Sequence, residues 1–172
     1  MIYFFNNKDL DGDKMKKKII IISLVGLFLD QLIKFFVVKY LSSVTIIPGF
    51  FTLLYAENNG VAFSMLNGNG LLIIMLSFLL IGFLYYLLDK EYLSKKQDNL
   101  FKDVTFGLLF GGILGNLTDR LIRGTVIDYV SLNFFGYHFP VFNLADVLIT
   151  VGVGLMILDC FISDGRVKDK SL

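Results

Sequence analysis

Apolar positions along the chain gather into four long stretches, Ile19 to about Val38, Leu71 to Leu88, Val104 to Ile122 and Phe142 to Phe161, separated by polar or mixed segments. Each is close to the roughly 20 residues a helix needs to span a hydrocarbon layer. The predicted architecture is mainly α: a bundle of four membrane helices in which most apolar surface faces lipid and only the seams between helices are buried. Two connecting segments carry structure of their own. From Val44 to Leu54 β-branched and aromatic residues surround Pro48-Gly49, a pattern of strand and turn lying on the membrane surface. From Asp128 to Val141 the aromatics Tyr129, Phe134, Phe135, Tyr137 and Phe139 surround Gly136, which suits either a hinged flap or an anchor at the water–lipid boundary.

Charge orients the bundle, because short loops rich in lysine and arginine stay cytoplasmic. Lys14, Lys16, Lys17 and Lys18, then Lys90, Lys95, Lys96 and Lys102, then Arg166, Lys168 and Lys170 fall on one side; segments 39–70 and 123–141 contain only Lys39 and Arg123. Both termini are therefore expected inside and two loops outside. The domain reading is a cytoplasmic segment 1–18, one membrane domain 19–161 and a cytoplasmic tail 162–172. Met15 directly precedes most of the first lysine cluster and is the expected native start, making 1–14 an extension. No small-residue cleavage site follows the first apolar stretch, so it reads as an uncleaved anchor.

Composition agrees with this class: 55% of the 172 residues are hydrophobic and mean hydropathy is +0.70. A net charge of +1 gives no sign of nucleic-acid binding. The single cysteine, Cys160, cannot form an internal disulfide and reads as an inert packed thiol.

Polar residues inside apolar stretches narrow the picture, since they are costly there. Counting ~1.5 Å per residue places Asp30 about 17 Å along the first helix, past the midplane, with Lys34 one turn on as an ion-pair partner. Gly107, Gly111 and Gly115 form a smooth packing face, within one bundle or between two chains. Asn116, Asp119 and Arg120 follow, at about 18 to 24 Å from Val104, with Asn116 spaced to touch both of the others. Asn143 and Asp146 share a face where the fourth helix enters, and Asp128 can fold back to that level. Four carboxylates thus converge near the outer surface. With Lys34 and Arg120 to neutralise two, two acids remain, and neighbouring acids do not readily both ionise. A proton-sharing pair is what an aspartic hydrolase uses. Zinc hydrolysis fits worse, because the only histidine is His138, a surface residue of the outer segment, and no H-E-x-x-H occurs; serine hydrolysis lacks a G-x-S-x-G, and no phosphate loop is present. A small proton- or cation-coupled transporter using its intramembrane acids is the rival reading, and it lacks repeated halves and broken helices.

Asp30-Gln31-Leu32-Ile33-Lys34, Asn58-Asn59-Gly60-Val61-Ala62-Phe63-Ser64, Gly115-Asn116-Leu117-Thr118-Asp119-Arg120, Val126-Ile127-Asp128-Tyr129 and Phe142-Asn143-Leu144-Ala145-Asp146 resemble, in order, the motif blocks of the bacterial lipoprotein signal peptidases (signal peptidase II). Val61 stands where many members have alanine. The resemblance implies an aspartic endopeptidase of the bacterial inner or plasma membrane, a globomycin target, that cuts prolipoproteins before the diacylglyceryl-modified cysteine of the lipobox. It implies a four-helix bundle with a small extracytoplasmic β-cradle and a flap or helix over the site. It makes Asp128 and Asp146 the catalytic pair and puts Asn58, Asn116, Asp119, Arg120 and Asn143 at supporting positions with Asp30 and Lys34, Asp119 and Arg120 acting as scaffold. No metal or cofactor is implied. The expected partners are lipidated prolipoproteins and membrane lipids, with acyl chains along Phe50, Phe51 and Phe63, and the chain is expected to act as a monomer.

Overall fold

The structure is a computed structural model that describes residues 7–60, 68–90 and 99–169, with side chains described between Lys16 and Ile162 within those segments. Val61 and Phe63 lie outside the described residues. The elements in chain order are α1 (Asn7–Tyr40), β1 (Ser43–Ile47), β2 (Phe51–Asn58), α2 (Gly70–Leu88), α3 (Leu100–Arg123), β3 (Val126–Phe134), β4 (Tyr137–His138) and α4 (Leu144–Asp169). Four helices are long and apolar enough to cross a membrane, Lys16–Tyr40, Gly70–Leu88, Leu100–Arg123 and Leu144–Ile162, so the chain is a multi-pass membrane protein.

Helix α3 is the centre of the bundle: 61% of its spanning window is buried, against 11% to 28% for the other three. Its sequence explains why. A Cβ on Gly111 would sit 3.0 Å from the backbone oxygen of Ser23 in α1, and one on Gly112 would sit 2.5 Å from the backbone oxygen of Ala145 in α4. Two neighbouring helices therefore approach α3 at backbone distance, and the glycine face serves packing within the one bundle. Gly152 reciprocates from α4, where the side chain of Leu109 occupies the space a Cβ would need. The lipid-facing helices keep large apolar side chains outward, among them Phe28, Leu79 and Phe161.

The helices differ from the apolar stretches mainly at their ends. Helix α1 begins at Asn7 rather than Ile19 and α4 runs on to Asp169, because adding a residue to an existing helix costs far less than starting one. Helix α3 starts at Leu100, earlier than Val104, where Asn99 Oδ1 accepts the Phe101 N–H at 3.0 Å as an N-cap. Cys160 is exposed rather than packed.

At one end of α1, α3 and α4 sits a four-stranded antiparallel sheet in the order β1-β2-β3-β4. The strand-turn-strand expected around Pro48-Gly49 is β1 and β2, closed by a Phe50 N–H to Ile47 oxygen bond of 3.0 Å with Gly49 at φ 74°. The segment expected as a flap is largely strand: β3 pairs with β2 along most of its length, and only the turn and β4 project beyond. That turn places Phe135 at φ 52° and Gly136 at φ 91°, the left-handed pair a tight hairpin requires.

The glycine contacts predict a position-specific effect. Gly112→Ala meets backbone that cannot yield and is expected to lower the melting temperature in detergent by several degrees, about 1–3 kcal/mol. Gly82→Ala, where nothing lies within 4 Å, should melt with the parent protein; equal melting of both variants would refute the backbone contact.

Candidate active site

The site is assembled around the N-terminus of α4, whose first N–H groups have no partner within the helix. Asn143 is the cap: its Oδ1 accepts the Asp146 N–H at 3.0 Å, and Asp146 Oδ2 accepts the Asn143 N–H at 3.2 Å. This reciprocal pair is a capping box, so the spacing of Asn143 and Asp146 has a backbone reason. The N–H between them at Ala145 is accepted by Asp30 Oδ1 of α1 at 3.0 Å, and that of Leu144 by the Tyr129 hydroxyl of β3 at 3.0 Å.

Strand β3 delivers the second acid. Asp128 pairs with Ala56 of β2, and Asn58, two residues on along β2, falls on the same face. Asn58 Nδ2 donates to Asp128 Oδ2 at 3.0 Å while its own Oδ1 accepts the Gly60 N–H at 2.9 Å. Asn143 Nδ2 donates to Asp128 Oδ1 at 2.7 Å, and Asn116 Nδ2 donates to Asp146 Oδ1 at 2.8 Å. Every carboxylate oxygen of Asp128 and Asp146 thus accepts one N–H, and Asn143 links the two acids.

Behind this pair lies a buried ion cluster. Lys34 Nζ, fully buried, reaches Asp30 Oδ2 at 2.8 Å, Asp119 Oδ2 at 2.7 Å and Asn116 Oδ1 at 3.0 Å. Asp119 also accepts from Arg123 at 2.5 Å, from Gln31 at 3.1 Å and from the Ile127 N–H at 3.2 Å. Two expectations are corrected here. Asn116 touches Lys34, Asn143 and Asp146 rather than Asp119, and meets Arg120 only through its backbone oxygen, 3.3 Å from Arg120 Nη1. Arg120 is not the partner of Asp119; its Nη2 donates to the Gly60 oxygen at 2.9 Å, fastening the chain beyond β2, while Arg123 pairs with Asp119 one helical turn on. Among the described residues no lysine or arginine forms an ion pair with Asp128 or Asp146.

Asp128 is 3% exposed. Burial, offset by the donor on Asn58 and reinforced by the charge of Asp146, pushes its carboxyl up to about 6. Burial likewise pushes the Tyr129 hydroxyl up to about 12. Asp128 opens onto a cavity of about 480 Å³ whose walls include Asn58, Gly60, Tyr137, His138 and Val141. His138, exposed in β4, is therefore a wall residue, and the hairpin flanks the acid it follows in sequence.

A profile of the family described as signal peptidase (SPase) II matches residues 22–162. The chain belongs to the signal peptidase II family. It is 39% identical over 143 residues to a lipoprotein signal peptidase of Symbiobacterium thermophilum, covering 81% of this chain and 91% of that one. It is 35% identical over 156 residues to a lipoprotein signal peptidase of Staphylococcus aureus, covering 89% and 93%. Two solved bacterial membrane enzymes superpose with TM-scores of 0.76 and 0.71 at 32% and 34% identity, covering 86% and 83% of this chain and 90% and 91% of theirs. The transporter reading finds no support in any of these matches.

Gln31 and Tyr129, inside the signal peptidase II motif blocks, and Arg123, outside them, take parts the sequence did not reveal. Gln31 bridges Asp119 and the Gly115 oxygen, the latter at 3.1 Å. Arg123 completes the ion cluster, and Tyr129 caps α4. The capping-box spacing at Asn143 and Asp146 was the one signal that could have shown Asp146 to be tied to a helix start; Tyr129 stands in a motif block beside Asp128, but nothing in the sequence shows that its hydroxyl caps α4.

The raised Asp128 carboxyl has a consequence for stability. Its value in the fold exceeds the ordinary 3.8, so the unfolded chain loses this proton first; the contribution is full below about pH 4 and is lost as pH rises through about 6. Asp128→Asn removes that dependence. The melting temperature of the variant relative to the parent should therefore rise between pH 4 and pH 7; a difference that stays flat or falls would contradict the raised value.

Proposed function

We propose that Asp128 and Asp146 are the catalytic pair of a lipoprotein signal peptidase that cleaves prolipoproteins before the diacylglyceryl-modified cysteine. The observation that carries this reading is the pair's environment: two carboxyls joined through Asn143, Asp128 opening on a cavity, and neither acid ion-paired with a lysine or arginine among the described residues. One carboxylate takes a proton from water as it attacks the peptide carbonyl, and the other, protonated, donates to the carbonyl oxygen. Asn58, Asn116 and Asn143 hold the carboxyl rotamers by donating to them. Asp30, Lys34, Asp119 and Arg120 support this shell from behind, with no metal or cofactor needed.

The lysine asymmetry supports a bacterial cell membrane orientation with both termini cytoplasmic and the sheet outside. A substrate with an apolar signal helix then enters sideways from the outer leaflet. Exposed Phe50, stacked edge-on with Phe134 at 5.2 Å between ring centroids, and half-buried Phe51 offer an apolar surface for acyl chains. We take the protein to act as a monomer.

The purified protein should cleave a lipidated prolipoprotein and be inhibited by globomycin. Asp128→Asn and Asp146→Asn should each lower the rate at least about a thousandfold while the protein still inserts and folds. Retained cleavage in either variant would remove that residue from the pair; no cleavage by the parent would remove the function.

A further inference from the structure

The side-chain amide of Asn116 is fixed from both ends. Lys34 Nζ lies 3.0 Å from its Oδ1, and an ammonium has three donors and no acceptor, so the oxygen faces Lys34. Asn143 Nδ2 donates to the same oxygen at 3.1 Å. The NH2 group is left to face Asp146, where it donates to Oδ1 at 2.8 Å. Lys34 is held in turn, because Asp30 and Asp119 take its other two N–H groups at 2.8 and 2.7 Å.

The two acids are not equivalent in this frame. The oxygens of both acids face groups that only donate, but for Asp146 one of them is a backbone N–H at the start of α4, that of Asn143, beside the Asn116 NH2. Asp146 also stands in the first turn of α4, where aligned peptide dipoles favour negative charge. Asp128 lies on a strand, and its oxygens accept from the side-chain amides of Asn58 and Asn143 rather than from a helix N–H. One of its two donors, Asn143 Nδ2, offers two hydrogens to three acceptors: Asp128 Oδ1 at 2.7 Å, Asn116 Oδ1 at 3.1 Å and the Ile127 oxygen at 3.3 Å. The other charged or titratable groups near Asp146 are Arg120 from α3, Tyr129 from β3 and, behind Asn116 and Ala145, Lys34 and Asp30 from α1. Arg120 and Tyr129 sense both acids, Asp146 the more strongly, and the charge of Lys34 reaches Asp128 as well.

We propose that Lys34 is a positioning residue: by fixing which way round the Asn116 amide sits, it makes Asp146 the ionised member of the pair and leaves the shared proton on Asp128. This rests on the peptidase reading and adds a division of labour to it. Asp146 takes a proton from water as the oxygen–carbon bond forms, and Asp128 passes its proton to the carbonyl oxygen. When the tetrahedral adduct collapses the carbon–nitrogen bond breaks, the amine leaves with the proton held by Asp146, and Asp128 recovers its own from the hydroxyl. Burial, which outweighs the lowering charge of Lys34 and pushes the Asp128 carboxyl up to about 6, acts in the same direction.

The test is the pH dependence of kcat for cleavage of a lipidated precursor by the full chain in detergent. Asn116→Leu removes the donor and leaves both Lys34 carboxylate contacts. Asp30→Asn with Lys34→Met removes the ammonium with its charge balanced, Asp119 keeping Arg123. Each is expected to lower kcat about tenfold or more with KM within about twofold, and to move the acid limb of the profile up by about one pH unit. Combined, they should move it no further than either alone. An acid limb that stays in place in a variant that melts with the parent overturns the proposal, as does an additive shift. If the double substitution fails to fold, Asn116→Leu decides by the same criterion. A parent that cleaves nothing defeats the peptidase reading itself, which an unmoved limb in an active variant does not.

Discussion

The N-terminus of α4 has to be capped inside the protein, and much of the surrounding architecture follows from how. In water the first N–H groups of a helix cost little to leave free, but at a buried end each needs an acceptor. Here the acceptors come from three elements: Asp30 from α1, Tyr129 from β3 and Asn143 from the approach to α4 itself. Each such cap contributes about 1 kcal/mol, yet the geometric effect is larger than the energetic one. Because the capping groups belong to different elements, the helix start is the point at which α1, α4 and the sheet are registered against one another. Asp146 is a member of that cap, so its carboxyl is placed by the same bonds that start the helix.

Burying Asp30 demands a counter-charge, which explains the cluster behind the cap. Lys34 one turn away supplies it and is shared with Asp119, whose second oxygen turns to Arg123. Two acids and two bases therefore balance within the cluster. A buried group of this kind is weak evidence for stability, since desolvation offsets much of the attraction, but removing one member leaves an unpaired charge at a cost of about 3–5 kcal/mol. The cluster is thus held together by the penalty for breaking it. That balance also leaves Asp128 and Asp146 without an ion-pair partner among the described residues, which is the condition for two neighbouring acids to share a proton.

Hydropathy made the four helices legible, and lysine placement distinguished the two ends, because lipid imposes length and composition on a span. The helix ends were less legible: the cap at Asn99 and the extension of α1 to Asn7 depend on local hydrogen bonding and on propagation, to which an apolar count is blind. The sheet was visible only as strand and turn around Pro48-Gly49. Its continuation through Asn58 into β3 is a pairing between segments about 70 residues apart, which periodicity in either segment alone does not reveal. The site residues were recognised as polar positions out of place, and their motif order suggested a role. That Arg123 rather than Arg120 meets Asp119 was not legible, because Asn116, Asp119, Arg120 and Arg123 occupy adjacent turns of α3 and only the direction of the neighbouring chain at Gly60 and Gln31 separates them.

Glycine packing and the acidic site are one arrangement. A Cβ on Gly115 would lie 2.6 Å from Asp30 Oδ2 and 3.2 Å from the Ala145 Cβ, so a side chain there would occupy the space through which Asp30 crosses to α4. The same stripe of small residues that lets α1 and α4 close on α3 leaves the gap in which one carboxylate accepts an N–H from α4 and a charged bond from Lys34. Asn116 is the next residue along α3, and its amide enters the site only because α1 and α4 are that close. The spacing that the bilayer favours for tight helix contact thus also sets the distance at which Lys34 of one helix, Asn116 of the next and Asp146 of the third form a continuous hydrogen-bonded line.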